Sequence, residues 1–398
     1  MRFRKMQLIA AALAGSAALV VSTRAFAGAF VDRNTLAVVR LGDGSAPLGV
    51  NAAAAYVDQY DVSGPTPTLL NTVALPSAGA GALTMSAVIN HDGLLNYSTD
   101  GRYLTVAGYR YDSTGAADPA TLTTAAAARV IGRVGMDGSV DTSTTITDAY
   151  NSLAVRAAAS TDGAHFWVAG DGTGPATAHV DGLRYVGAVG GSTSVDMDLR
   201  KPDTTVPPYE NVRSVSIFGG QLYITSGSNG SIGKAAFKAG TGLQTSGPTQ
   251  LSIVESADST NAVFFADLNA TQGVDPLSPT GGMDTLYATT SDTLRKFSYV
   301  GGTWVAQGTA ALTGVESVTA LVNGSNVTVF ASRANGIFRL TDGTGYNATM
   351  SSTFGGAYLL PGTNQEFRGV AAVPEPGIAT ALLGTVALVA RWRNRRET

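Results

Sequence analysis

The tetrapeptide Ser98-Thr99-Asp100-Gly101 returns as Ser160-Thr161-Asp162-Gly163, and in each copy Val-Ala-Gly follows, at residues 106–108 and 168–170. Seven of eleven positions are identical at an offset of 62 residues. Self-similarity of this kind constrains a fold more than any single motif, because each copy must form the same unit and bury its apolar face against a neighbour. Asp-Gly between two apolar stretches is a hairpin signal, since glycine accepts the positive φ of a tight turn. The flanks, Tyr103-Leu104-Thr105-Val106 and His165-Phe166-Trp167-Val168, carry β-branched and aromatic residues that suit strands.

The strand–turn–strand outline continues with less identity. Residues 212–218, Gly219-Gly220 and residues 222–225 make a third copy. Residues 262–267 and 285–289 make a fourth, and residues 317–322, Asn323-Gly324 and residues 327–331 a fifth. Further strands follow most copies, at residues 129–134, 183–189, 294–300 and 336–340. Units of four short strands predict an all-β fold, a single β-propeller. Residues 367–372 read as a first strand without a successor, and residues 35–41 and 53–60 as second and third strands without a first. Pairing these ends closes the ring and removes an exposed edge. Counting that composite blade gives six, or seven if residues 83–95 contain another strand. A core of this size is affordable, with 44% hydrophobic residues, but cysteine is absent and stability must come from packing.

The termini have a different character. Arg2, Arg4 and Lys5 precede 14 apolar or small residues at 8–21, and Ala25-Phe26-Ala27 places small residues where a signal peptidase needs them. Cleavage is expected between Ala27 and Gly28. Its removal would take four of the 26 basic residues, Arg2, Arg4, Lys5 and Arg24, leaving 22 against 29 acidic ones, a net −7. An acidic surface without a basic patch argues against nucleic acid as a partner.

At the far end stand Pro374-Glu375-Pro376, an apolar stretch at 378–390, and Arg391, Arg393, Arg395 and Arg396. Proline fixes φ on both sides of Glu375 and keeps the triplet extended. The apolar run is shorter than the roughly 20 residues of a comfortable bilayer span, and arginines after it favour a cytoplasmic end. Triplet, apolar run and arginine cluster together resemble the PEP-CTERM sorting signal of exported Gram-negative bacterial proteins. The resemblance covers about the last 26 residues. It implies processing by an exosortase at Pro374, Glu375 and Pro376, a C-terminal membrane helix at 378–390, and retention by the arginines. The expected organisation is a signal peptide at 1–27, a propeller-like domain at 28–372 and a sorting signal at 373–398.

Chemistry is harder to find. His91, His165 and His179 have no metal-ligand spacing, and His165 falls inside a strand. No nucleophile elbow, phosphate loop or dinucleotide fingerprint occurs, so no cofactor is implied. Asp267, Asn269, Thr271 and Asp275 alternate oxygen side chains as a calcium loop would, but glycine is not at the sixth position and no glutamate stands at the twelfth. Asp100, Asp162, Asp196 and Asp198 could supply paired carboxylates for a glycosidase or lyase, though the first two sit in turns, where aspartate has a conformational role. Trp167 and Trp304 could stack on sugars or pack between blades.

These readings favour an exported, non-enzymatic binding or scaffold module. It would sit in the inner membrane as an intermediate, then at the cell surface or in the extracellular matrix. Exosortase and signal peptidase would be partners during export. The sorting resemblance further implies an association with exopolysaccharide or biofilm. The alternative is a secreted propeller hydrolase or lyase acting on carbohydrate, whose mark would be acidic residues converging on the channel.

Overall fold

In both copies of the tetrapeptide the chain reverses where Asp-Gly predicts it. Gly101 and Gly163 have φ of +73° and +74°, a region where a side chain is penalised. Serine fastens each turn: Ser98 Oγ accepts from the Tyr103 N–H at 2.9 Å, and Ser160 Oγ from the Gly163 N–H at 2.8 Å. The two turns also touch, the Asp100 N–H donating to the Thr161 carbonyl at 2.9 Å. Neighbouring units are thus tied at their tips as well as along their faces.

The computed structural model describes residues 30, 34–172, 181–200, 211–227, 235–255, 260–273 and 282–373. These form five hydrogen-bonded sheets in a propeller-like ring. The first sheet contains β1 (Thr35–Leu41), β2 (Ala52–Asp61), β3 (Thr68–Ala74), β4 (Thr84–Ser86), β5 (Leu95–Tyr97), β6 (Tyr103–Tyr109), β7 (Arg129–Gly135) and β8 (Val140–Ile146). The second is β9 (Val155–Ala159), β10 (Phe166–Gly170), β11 (Leu183–Val186) and β12 (Val195–Asp196). The third holds β13 (Leu199–Arg200), β14 (Val212–Phe218), β15 (Gln221–Ser226), β16 (Ala235–Ala239) and β17 (Thr249–Glu255). The fourth is β18 (Ala262–Ala266), β19 (Thr285–Thr289), β20 (Thr293–Val300) and β21 (Thr303–Ala311). β22 (Ser317–Asn323), β23 (Asn326–Arg333) and β24 (Gly336–Asp342) make the fifth. The last strand, β25 (Glu366–Val373), returns to pair antiparallel with β1 and is the ninth strand of the first sheet. The expected pairing of the terminal strands is therefore present, in the register Leu36↔Ala372 and Val38↔Val370.

The blade count differs from expectation. Four sheets are separate blades, and the remaining nine strands are one continuous sheet instead of separate units. The reason lies in β2, whose edge away from β1 serves two partners. Tyr56 to Asp61 pair with β3, while Ala52 to Ala54 pair with β4. β4 then reaches β6 through Thr84↔Tyr109. Residues 83–95 hold this three-residue linking strand, so they add no further blade. Among the described residues the helical elements are two single turns, Gly79–Gly81 and Pro119–Thr121, and no helix is long and apolar enough to cross a membrane. The expected membrane helix falls outside the described residues.

Every sheet is covered by its neighbours, which is why β9 and β10 are buried at all five positions. Tyr109 and Ile131 pack on Phe166 and Val168 between the first and second sheets. Trp167 meets Leu222 and Phe237 between the second and third. Tyr223 packs on Phe265 and Leu286 next, then Tyr287 on Val329 and Leu340. Phe330 and Ile337 of the fifth sheet close the ring against Leu36, Val38 and Phe367 of the first. Burial contributes about 1.5–3 kcal/mol for each such side chain, so the closing interface is a substantial part of the stability. Inside the ring β25, β5, β9, β14, β18 and β22 stand side by side around a central channel.

Candidate functional site

Where the inner strands end, the channel widens into a cavity of about 610 Å³. β5 supplies Asn96, β14 supplies Ser216 and Phe218, β18 supplies Phe264, and β22 supplies Thr319 and Asn323. Asn96 bridges its neighbours, its Nδ2 donating to the carbonyls of Ala158 (2.9 Å) and Val215 (3.0 Å) while Ser216 Oγ donates to its Oδ1 at 3.1 Å. The half-buried rings of Phe218 and Phe264 meet edge to face at 5.7 Å. Asn34 and Asn323 are exposed at the rim. This end offers aromatic faces and uncharged hydrogen-bonding groups on rigid strands.

At the opposite end, where the same strands begin, charge replaces the phenyl rings. His91 and Asp92 precede β5, Arg156 and Arg213 are second residues of β9 and β14, Asn261 and Glu316 precede β18 and β22, and Arg368 is the third residue of β25. The backbone brings them together closely. The Gly369 N–H donates to the Gly93 carbonyl at 3.2 Å, and a Cβ on Gly369 would collide with that loop's backbone. Glycine there lets β25 set Arg368 beside Asp92, with Nε 3.6 Å from Oδ1.

Arg213 Nη1 donates to Asn261 Oδ1 at 3.0 Å and to His91 Nε2, so His91 accepts at that nitrogen. Arg156 Nη1 donates to Asn211 Oδ1 and to the Val212 carbonyl, and its Nη2 lies 3.5 Å from Asp171 Oδ2. Arg368 Nη1 is 2.8 Å from Glu366 Oε2. Asp92 Oδ2 accepts from the Ser86 N–H at 2.8 Å. Among the described residues, other polar atoms of the cluster have no hydrogen-bond partner: Arg156 Nε, Arg213 Nε, Arg368 Nε and Nη2, Asp92 Oδ1 and Glu316 Oε2.

Burial sets the protonation states. It raises Glu316 to about 8 and Asp92 to about 7, against the opposing pull of Arg368. It lowers His91 to about 3, helped by Arg213, Arg156 and Arg368, so the imidazole is neutral. Arg213 falls to about 10 through burial and the nearby Arg156, yet keeps its charge at neutral pH.

The residues singled out from sequence lie elsewhere. Trp167 is buried between sheets, its Nε1 donating to the Gln244 carbonyl at 2.6 Å, and Trp304 packs 5.6 Å from Phe265. His165 stands against Trp167 and Tyr185. Asp100 pairs with Arg102, Asp196 with Arg184 and Asp198 with Arg200, and Asp162 caps its own turn by accepting from the Ala164 N–H. Asn269 Oδ1 accepts from Thr271 N–H and Oγ1, a turn closed on itself, while Asp267 is exposed. Among the described residues no three His, Cys, Asp or Glu side chains gather as a metal site. Ala25, Ala27, Gly28, His179, Asp275, Pro374, Glu375, Pro376, Arg391, Arg393, Arg395 and Arg396 lie outside the described residues. His91, without any metal spacing, belongs to the charged cluster after all. One signal pointed there: apolar-Arg-small recurs at the start of three inner strands, as Val155-Arg156-Ala157, Val212-Arg213-Ser214 and Phe367-Arg368-Gly369.

No protein-family model matches the chain, and no curated protein does. Among solved structures, a chain of a nidogen/laminin complex is similar with a TM-score of 0.47 at 12% identity, covering 86% of this chain and 99% of that one. A putative 6-phosphogluconolactonase from Bacteroides fragilis gives 0.42 at 14% identity, covering 79% and 80%. Citrobacter koseri AztD gives 0.35 at 11% identity, covering 85% and 97%. None of these likenesses bears on ligand or reaction.

Proposed function

We propose that the chain is an exported binding module of the cell envelope or extracellular matrix that takes a saccharide at the wide mouth of its channel. The carrying observation is the lining of that mouth. Phe218 and Phe264 offer apolar ring faces, and Asn34 and Asn323 offer rim amides, beside a cavity of about 610 Å³. Sugars present C–H faces to aromatic rings and hydroxyls to amides, and the volume is in the range of small-molecule sites. The sorting tail at Pro374, Glu375 and Pro376 supports export and exosortase processing, and with them a matrix of exopolysaccharide as the setting.

A glycan array probed with the purified exported protein, beside an activity screen on the same sugars, tests this. Binding of neutral glycans without turnover, lost in Phe264→Ala, is the expected outcome. Turnover would favour the second reading, a carbohydrate-active enzyme. That reading has its own support, since Asp92 and Glu316, both raised in pKa, converge on the charged end of the channel.

A further inference from the structure

We propose that the charged end of the channel is a binding site for a carboxylate group, held among the guanidiniums of Arg156, Arg213 and Arg368. This holds independently of what occupies the wide mouth.

Geometry carries the proposal. Three inner strands far apart in sequence each place one arginine at the same end of one channel. Arg156 and Arg368 are buried, yet among the described residues Arg156 Nε, Arg213 Nε and Arg368 Nε and Nη2 make no hydrogen bond, Asp92 Oδ1 lying 3.6 Å from Arg368 Nε. A buried donor left unpaired costs about 1–3 kcal/mol, more when charged. A guanidinium presents its N–H groups as a planar fork that a carboxylate matches with two oxygens.

Resident groups do not meet this demand. Asp171 takes one Arg156 nitrogen and Glu366 one Arg368 nitrogen. Arg213 holds only neutral His91 and Asn261, and among the described residues no carboxylate lies within ion-pair distance of it. Asp92 faces Arg368, Arg156 and Asp118, while Glu316 faces Arg368, Arg213, Asp92 and Glu366. Burial keeps both largely protonated below neutral pH. Among the described residues the carboxyl groups within ion-pair distance of these guanidiniums are Asp171, Glu366 and, 3.6 Å from Arg368 Nε, Asp92. The planar two-oxygen match to a guanidinium fork is what favours a carboxylate at this cluster. Half-buried His91 and Arg213 form the rim of the cluster.

The test uses the full chain, titrated calorimetrically and by thermal unfolding at constant ionic strength and pH 6. The probes are sodium glucuronate, sodium acetate, inorganic phosphate and, as a neutral control, glucose. Saturable binding and a raised Tm with both carboxylates, but not glucose, are expected. Glucuronate binding well above acetate would identify an acidic sugar as the source, and equal binding a simple organic acid. Affinity should fall at least tenfold from pH 6 to pH 9, because Asp92 and Glu316 ionise and compete for the arginines. Arg213→Gln should weaken binding at least tenfold. Should that variant fail to fold, Arg213→Lys, which keeps charge but not the fork, and the wild-type pH profile each suffice. No saturable response to either carboxylate, a response to phosphate alone, or an undiminished response in a folded Arg213→Gln would overturn the proposal. Neutral-glycan binding is read separately with Phe264→Ala, so either result can fail without the other.

Discussion

Two networks of buried charge among the described residues differ in how completely they are paired. Between the fourth and fifth sheets Lys296 and Asp342, both fully buried, pair at 2.7 Å. Lys296 Nζ also donates to Thr344 Oγ1 (2.9 Å) and to the carbonyls of Gly345 (2.7 Å) and Ala348 (3.0 Å). Asp342 in turn accepts from Tyr287 OH at 2.7 Å and from Thr344 N–H and Oγ1. At the channel end, by contrast, three arginines, two buried carboxyls and a histidine leave several atoms unpaired. A buried charge is tolerated where its whole shell is made by the protein. At the channel end the shell is incomplete, and its unpaired atoms are the ones the proposed carboxylate would meet.

The largest effect should come from the complete network. Lys296→Met leaves Asp342 buried and uncompensated, and should cost about 3–5 kcal/mol in urea unfolding without changing carboxylate affinity. A loss below about 1 kcal/mol would erase the distinction between the two networks.

The pH dependence should separate them next. Asp92 and Glu316 titrate near their ordinary acidic values when unfolded but only at about 7 and about 8 in the fold. Between these limits unfolding releases protons, so stability falls as pH rises from 5 to 8, by at most about 1.4 kcal/mol per pH unit for each group. Asp342 behaves oppositely. Burial alone would raise it, but hydrogen bonds from Lys296, Thr344 and Tyr287 prevail and hold it below the ordinary value. Its contribution is present above about pH 4 and is lost as pH falls below that. Urea midpoints from pH 3 to pH 9 should therefore show a maximum on the acid side of neutrality, and Glu316→Gln should flatten the alkaline limb. An unchanged limb in that variant would remove Glu316 as its cause.

Smaller changes sharpen the contrast. Thr344→Val removes one acceptor from Lys296 and the hydroxyl hydrogen bond to Asp342, leaving the backbone one, and should cost about 1–2 kcal/mol. Arg213→Gln should change stability by less than about 1 kcal/mol, since it also relieves repulsion with Arg156 and the desolvation of a guanidinium. A loss of several kcal/mol there, measured by the same urea titration, would make the channel-end cluster structural after all.

Much of the fold was legible beforehand. The turns at Gly101 and Gly163, the hairpins of the five copies and the pairing of residues 35–41 with 367–372 all coincide with strands. The continuity of the first sheet was not legible, because β2 has the composition of one strand and gives no sign that one of its edges serves two partners. Of the site, the aspartates in turns and the two tryptophans drew attention, yet none of them lines the cavity. His91 and Glu316 did not, because each looks like an isolated surface residue in its own segment, and the arginines share only the short apolar-Arg-small pattern.

What the sequence by itself determined is local and repeated: alternation along strands, glycine where φ must be positive, and two unmatched end segments able to close a ring. These rest on backbone sterics within a few residues. Tertiary structure alone decided that the starts of six strands meet at one end and their finishes at the other. Charge gathers at the first end and phenyl rings at the second. The groups that meet there come from separate turns of the chain, and the burial that shifts their protonation exists only once the ring has closed.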